Sequence, residues 1–139
     1  MNIIIVGICG NGQTYFMKYL RAKSFPTNHI HDAYNLKHNP CPTNLTEEHK
    51  KSKIIYVYNN IFDLICSHCR RGWGYAQMVK ININNQCDKG KLEDFIKLTE
   101  STNSDDVGAK DNYIRWYNSD FANGIEFLNL DKINKYELS

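Results

Sequence analysis

The residues best suited to chemistry lie near the amino end, in the segment Gly7–Thr14, which reads Gly-Ile-Cys-Gly-Asn-Gly-Gln-Thr. Glycines spaced in this way let successive main-chain N–H groups point inward, and a helix that follows adds the positive end of its dipole. A phosphate-binding loop has this spacing and requires a strand before it and a helix after it. Ile3–Val6 and residues 13–22 meet that requirement. We therefore predict an anion-binding loop, with a glycine-rich turn that holds no ligand as the alternative.

Two residues that a nucleotide triphosphatase needs are missing. Gln13 stands where a lysine would meet the β- and γ-phosphates, and it carries no charge. The strand-like run that ends in Tyr58, Asn59 and Asn60 supplies no aspartate for Mg²⁺. A magnesium-dependent ATPase or GTPase is therefore disfavoured, and we expect no metal at the loop.

A second segment points to a particular family. Residues 54–67 resemble the sulfotransferase segment that reads roughly iiYvyRNPxDxxxS, and Asn60, Asp63 and Ser67 match that pattern. Residues 11–16 are similar to the SGTTWL loop, which holds the 5′-phosphosulfate in the same family.

Two further segments extend this resemblance along the chain. Residues 28–31 resemble the strand that carries a histidine as catalytic base, and residues 125–133 are similar to the family's vlflrYEDL strand and turn. Trp116 stands where family members often have a tryptophan before that strand. The resemblance implies a P-loop NTPase-like, sulfotransferase-like α/β fold of three layers, with a mainly parallel sheet flanked by helices.

The resemblance also implies an activity, the transfer of a sulfuryl group from 3′-phosphoadenosine-5′-phosphosulfate (PAPS) to an acceptor hydroxyl or amine without a metal. In the family pattern, the amides of Gly12–Tyr15 and the Thr14 hydroxyl hold the 5′-phosphosulfate, and Ser67 helps to hold the 3′-phosphate. His31, with His29 as the alternative, would take the proton of the acceptor. The implied donor-binding residues are Gly10, Asn11, Gly12, Gln13, Thr14, Tyr15, Asn59 and Ser67.

Three family residues are absent from this chain. Gly10 replaces the loop lysine, Asn59 replaces the arginine of the 3′-phosphate motif, and Ile61 replaces its proline. Lys18 lies a turn further along the expected helix and does not obviously replace the loop lysine. A charge-assisted hydrogen bond contributes roughly 1.5–3 kcal/mol, so losing two weakens donor binding by roughly 10²–10⁴-fold. We therefore expect a sulfotransferase-like protein with weak or no transfer activity.

The elements that must position these residues alternate along the chain. Short apolar, β-branched runs predict strands over residues 2–6, 53–58 and 125–130, and a short strand is expected over 27–33. Apolar residues at helical spacing predict helices over 13–22, from Asn60 to Gly72, and over 73–83, 92–100 and 110–118, with a helical turn or short helix over 45–51. This order predicts a single α/β domain over residues 1–139 with a mainly parallel sheet.

The net charge, the hydropathy and the number of cysteines limit the classes of partner and the cellular compartment that we expect. A net charge of +2 makes nucleic acid an unlikely partner, and no apolar stretch approaches the roughly 20 residues that span a bilayer. The odd number of cysteines, five, argues against a disulfide framework. Cys66 and Cys69 read as buried core thiols rather than as a redox pair or zinc ligands. We expect a soluble cytoplasmic protein that binds a nucleotide-type small molecule, and the acceptor stays undefined.

Two other functions remain open at this point. A small nucleotide or nucleoside kinase-like protein would use the same loop for ATP. A non-enzymatic interaction protein would have its loop filled by side chains such as Gln13 or Tyr15, and its surface aromatics would bind a partner or form a homodimer.

Overall fold

The computed structural model describes residues 2–8, 10–34, 36–39, 42–60, 63–64, 67, 70–71, 109–120 and 124–133. Its strands are β1 (Ile3–Gly7), β2 (Lys53–Tyr58) and β3 (Ile125–Asn129). Its helices are α1 (Gln13–Ala22), α2 (Glu47–Lys50) and α3 (Ala109–Tyr117), with 3₁₀ turns at Pro42–Asn44 and Leu130–Lys132.

The three strands form a parallel sheet in the order β1-β2-β3. The register pairs Gly7 with Val57 and Val57 with Leu128, so the carboxyl ends of all three strands meet at one edge. The prediction of strands in these three runs is confirmed, as is the α/β class with a parallel sheet among the described strands. Ligands of open α/β sheets bind at the carboxyl edge, which is where β1 runs into the glycine loop.

Both faces of the sheet are buried, which explains why β1 and β2 are rich in β-branched residues instead of alternating with polar ones. On one face, Phe16 and Met17 of α1 pack with Ile5 and Val57. On the other face, Trp116 of α3 belongs to a second buried cluster, together with Ile4, Val6, Leu45, Ile54 and Tyr56. Helices therefore lie on both sides of the described strands.

The outer edge of β1 is covered without a full strand. The expected strand over residues 27–33 is wrong: the described segment makes one bridge, between Ile3 and Thr27, and then turns. The side chain of Asn28 replaces the next strand residue, because its Oδ1 accepts from the Ile5 N–H at 2.8 Å and its Nδ2 donates to the Ile5 carbonyl at 3.0 Å. Asp32, with a φ of 58°, lies in the turned part of the segment. An asparagine side chain thus satisfies an edge that would otherwise expose unpaired main-chain groups.

Other sequence predictions are confirmed in part. The Leu64 N–H donates to the Asn60 carbonyl at 3.1 Å, and residues 63–64, 67 and 70–71 are helical. The predicted helices over 73–83 and 92–100, the loop and linker beside them, and all five cysteines lie outside the described residues. The prediction of a single domain over residues 1–139 stays a prediction.

Candidate functional site

The glycine loop, by which we mean Gly7, Ile8 and residues 10–14, leaves β1 through backbone conformations that favour glycine. The φ angles are 146° at Gly7, 94° at Gly10 and 80° at Gly12. A Cβ on Gly7 would collide with the carbonyl oxygen of Val57 and with the side-chain amide of Gln13. The chain can make this turn only because Gly7 has no side chain.

Helix α1 begins directly after the loop and has no side-chain cap. Its N-cap residue is Gly12, which is left-handed and has no side-chain oxygen to accept from the first-turn N–H groups. Thr14, which is half-buried, lies in this first turn, and Tyr15 beside it is exposed. The positive end of the α1 dipole and the Thr14 hydroxyl are therefore at the same end of the helix.

Two amide side chains of the loop turn inward. Gln13 is 2% exposed and Asn11 is 3% exposed. The Nδ2 of Asn11 donates to the Val57 carbonyl at 3.4 Å, and the Nε2 of Gln13 donates to the Lys37 carbonyl at 3.5 Å. The side-chain oxygens of both amides are buried without a hydrogen-bond partner among the described residues. Neither residue brings a positive charge to the loop.

The positive charge at this end of α1 comes from Lys37, which sequence reasoning missed. Its Nζ donates to the Thr14 hydroxyl oxygen at 2.6 Å and to the Ile30 carbonyl at 2.9 Å. The main chain of Lys37 is also fixed, because its N–H donates to Asp32 Oδ1 at 2.8 Å and its carbonyl accepts from the Gly7 N–H at 3.0 Å. Lys37 is 6% exposed, so an ammonium group is held inside the protein beside the start of α1.

The segment around Lys37 is anchored at both of its ends. Next to Lys37, the Nδ1 of buried His38 lies 3.0 Å from the Gly7 carbonyl oxygen. One residue further, the Asn39 carbonyl accepts from Nε1 of Trp116 at 3.1 Å. These contacts hold residues 37–39 against the end of β1, and they involve positions far apart in sequence that leave no local pattern.

His31, the residue predicted to act as base, is exposed, as is His29. The main-chain N–H of His31 donates to Nδ1 of His29 at 3.2 Å, and the two rings are 5.9 Å apart. The residue between them, Ile30, shares the Lys37 ammonium with Thr14. This shared contact brings the histidine segment beside the glycine loop, and the role of His31 as base stays a prediction.

Of the residues predicted to hold the 3′-phosphate, Asn59 directly follows β2, and its neighbour Asn60 contacts Asp131 beyond β3. The side-chain oxygen of Asn59 accepts from the Asn60 N–H at 2.7 Å, and the same N–H donates to Asp131 Oδ2 at 2.9 Å. Ser67 is helical and 6% exposed. Their assignment to a 3′-phosphate stays a prediction, and the carboxylate of Asp131 is an additional charge at this edge that sequence reasoning did not identify.

Neither a metal-binding cluster nor a membrane-spanning helix occurs among the described residues. They contain no group of three or more histidine, cysteine, aspartate or glutamate side chains placed to hold a metal ion. None of the helices in this part of the chain has the length and apolar character needed to cross a membrane.

Comparison with known protein families, with curated proteins and with solved structures gives no match to this chain.

Proposed function

We propose that the chain binds the phosphate or phosphosulfate group of a nucleotide at the glycine loop, as a sulfotransferase-like protein with weak or no transfer activity. The observation that carries the proposal is the uncapped start of α1 directly after the glycine loop, with the Thr14 hydroxyl in the first turn. N–H groups in this position donate to anions, and the helix dipole favours negative charge there. The resemblance described above supplies the nucleotide, PAPS or its product 3′-phosphoadenosine-5′-phosphate.

The donor groups at the loop suit such a ligand. Main-chain N–H groups at the start of α1, the Thr14 hydroxyl and the nearby Lys37 ammonium are all hydrogen-bond donors. A sulfuryl transfer would join the acceptor oxygen or nitrogen to sulfur while the bond from sulfur to the 5′-phosphate oxygen breaks. The proton of the acceptor would pass to His31, whose ring is exposed to solvent.

Calorimetric titration with 3′-phosphoadenosine-5′-phosphate tests the binding proposal. We expect the wild-type chain to bind it, and we expect Gly12→Ala to weaken binding, because an alanine at a φ of 80° must distort the loop or the start of α1. Gly124→Ala is the matched control, since Gly124 also has a positive φ but lies next to β3 and outside the loop. A folded wild-type chain that binds nothing at millimolar ligand contradicts the proposal.

A second candidate is a non-enzymatic interaction protein whose loop is filled by its own side chain. The buried Gln13 amide against Gly7 favours this candidate. It predicts that the wild-type protein does not bind the nucleotide. The same titration therefore separates the two functions.

A further inference from the structure

We propose that Lys37 is the residue that supplies the positive charge to the anion bound at the glycine loop. This inference rests on the proposed function and deepens it. In the family pattern the charge comes from a lysine inside the loop, at the position that Gly10 occupies here. In this chain it comes from a residue 23 positions after Thr14, beyond α1.

The geometry of Lys37 fits this role. The ammonium lies 2.6 Å from the hydroxyl oxygen of Thr14, in the first turn of α1, so it would reach a ligand atom that the same turn holds. The main-chain bonds to Gly7 and Asp32 fix the base of the side chain, and the bond to Ile30 fixes its tip. A side chain held at both ends loses little further conformational freedom when a ligand arrives.

The electrostatics of this position favour an anion. The ammonium is placed at the positive end of the α1 dipole, so its field and the helix field add together instead of cancelling. Because the residue is 6% exposed, solvent screens this charge less than it screens a surface lysine. A phosphate-type group placed between the helix start and Lys37 would be stabilised by both fields, and the Asp32 carboxylate, which accepts from the Lys37 main-chain N–H, is the charge that opposes them.

The two cations that belong to α1, Lys18 and Arg21, are placed differently from Lys37. Lys18 is exposed and lies a turn beyond Thr14. Arg21 donates to the Thr27 hydroxyl and to the carbonyls of Thr27 and Asn28, at the opposite end of the helix. Lys18 therefore provides a matched control, because it is a lysine that lies on α1 but not in the amino-terminal turn of that helix.

The ligand class follows from the chemistry of the donors. An ammonium acts as a point charge, whereas the planar guanidinium of arginine binds a phosphate through two parallel hydrogen bonds. A site built from an ammonium, a hydroxyl and main-chain N–H groups suits a tetrahedral terminal anion such as the 5′-phosphate of 3′-phosphoadenosine-5′-phosphate. Adenosine, which has the base and sugar but no phosphate, should bind much more weakly.

The test compares binding of 3′-phosphoadenosine-5′-phosphate and of adenosine by the wild-type chain, Lys37→Met and Lys18→Met, with circular dichroism to verify folding. We expect Lys37→Met to weaken nucleotide binding roughly 10- to 100-fold, the effect of one charge-assisted hydrogen bond, and Lys18→Met to change it less than about twofold. Equal nucleotide affinity in wild-type and folded Lys37→Met overturns the role of Lys37. No binding by the wild-type chain overturns the proposed function itself.

If Lys37→Met does not fold, a second measurement tests whether Lys37 contacts the bound nucleotide. In wild-type protein labelled with ¹⁵N at lysine side chains, the Nζ resonance of Lys37 is assigned through its contacts with Thr14. Saturation with the nucleotide should shift this resonance, because a phosphate oxygen would approach the ammonium. A resonance that stays unmoved while the nucleotide binds overturns the assignment of Lys37.

Discussion

The glycine at the end of β1 offers the sharpest test of how the loop is built. In Gly7→Ala, the new methyl group would collide with the Val57 carbonyl oxygen, which belongs to the backbone of the neighbouring strand, and with Gln13 Nε2. The φ of 146° adds backbone strain of about 1–3 kcal/mol for an alanine. Forcing the methyl group into a packed region adds about 1–3 kcal/mol. We expect the free energy of unfolding to fall by about 2–6 kcal/mol.

Gly124→Ala is the matched comparison for this variant. Gly124 has a φ of 66°, yet nothing lies within 4 Å of the position of its Cβ. The expected cost is therefore the left-handed conformation alone, about 1–2 kcal/mol. Both substitutions restrict the unfolded chain in the same way, so that contribution cancels in the comparison.

Urea unfolding followed by circular dichroism measures both variants. Gly7→Ala should lose more stability than Gly124→Ala, or should fail to fold while Gly124→Ala folds. Equal losses in the two variants would refute the reasoning, because they would mean that the strand of Val57 does not press on Gly7. A Gly7→Ala variant as stable as wild type would also contradict the loop conformation described here.

Two further predictions concern the edge of the sheet and the aromatic cluster. Asn28→Ala should lose about 1–3 kcal/mol of stability in urea unfolding, because both main-chain groups of Ile5 lose their partner. Asn28→Asp keeps the acceptor for the Ile5 N–H but turns a second oxygen toward the Ile5 carbonyl, so it should also lose stability, and unchanged stability in either variant would show that the two bonds do not act as described. Burial, followed by the neighbouring Tyr58 and Tyr117 hydroxyls, raises the pKa of Tyr113 above its ordinary value near 10. The folded protein then holds this proton more tightly than the unfolded chain does, so stability should fall as pH rises through and above about 10, and Tyr113→Phe should remove that part of the fall. The difference between the ultraviolet tyrosinate titrations of wild type and Tyr113→Phe isolates this group among the nine tyrosines, and an ordinary or lowered pKa for Tyr113 would contradict the prediction.

The strands were predictable from sequence because their signal is local. Ile3–Val6 and the run of β2 are β-branched and apolar on both faces, which is typical of strands covered on two sides. The start of α1 was predictable for the same reason, since glycines before an amphipathic run mark the end of one element and the start of the next. The position of the loop between β1 and α1 is therefore predictable from the sequence.

The residues that were missed depend on contacts between distant positions. Lys37 contacts Thr14, which lies 23 positions earlier in the sequence. Asn28 takes the place of a strand residue beside Ile5, which also lies 23 positions earlier. Lys37 belongs to no periodic pattern or recognised motif, and the segment 28–31 that contains Asn28 was singled out for its histidines. The expected strand over residues 27–33 failed because a short polar segment can cover a strand edge through one side chain, and period-2 alternation does not encode that arrangement.

The position of Lys37 changes what the missing loop lysine means. The sequence alone predicts two lost charge-assisted contacts and donor binding weaker by roughly 10²–10⁴-fold. If Lys37 replaces the loop lysine as proposed, only the contact of the absent 3′-phosphate arginine, where Asn59 now stands, is lost. The expected penalty then falls to roughly 10–10²-fold, the range of one such contact. A sequence motif shows only whether a charged residue stands in the loop itself, whereas binding depends on whether the folded chain brings a charge to the loop. A measured nucleotide affinity distinguishes the penalty of two lost contacts from the penalty of one.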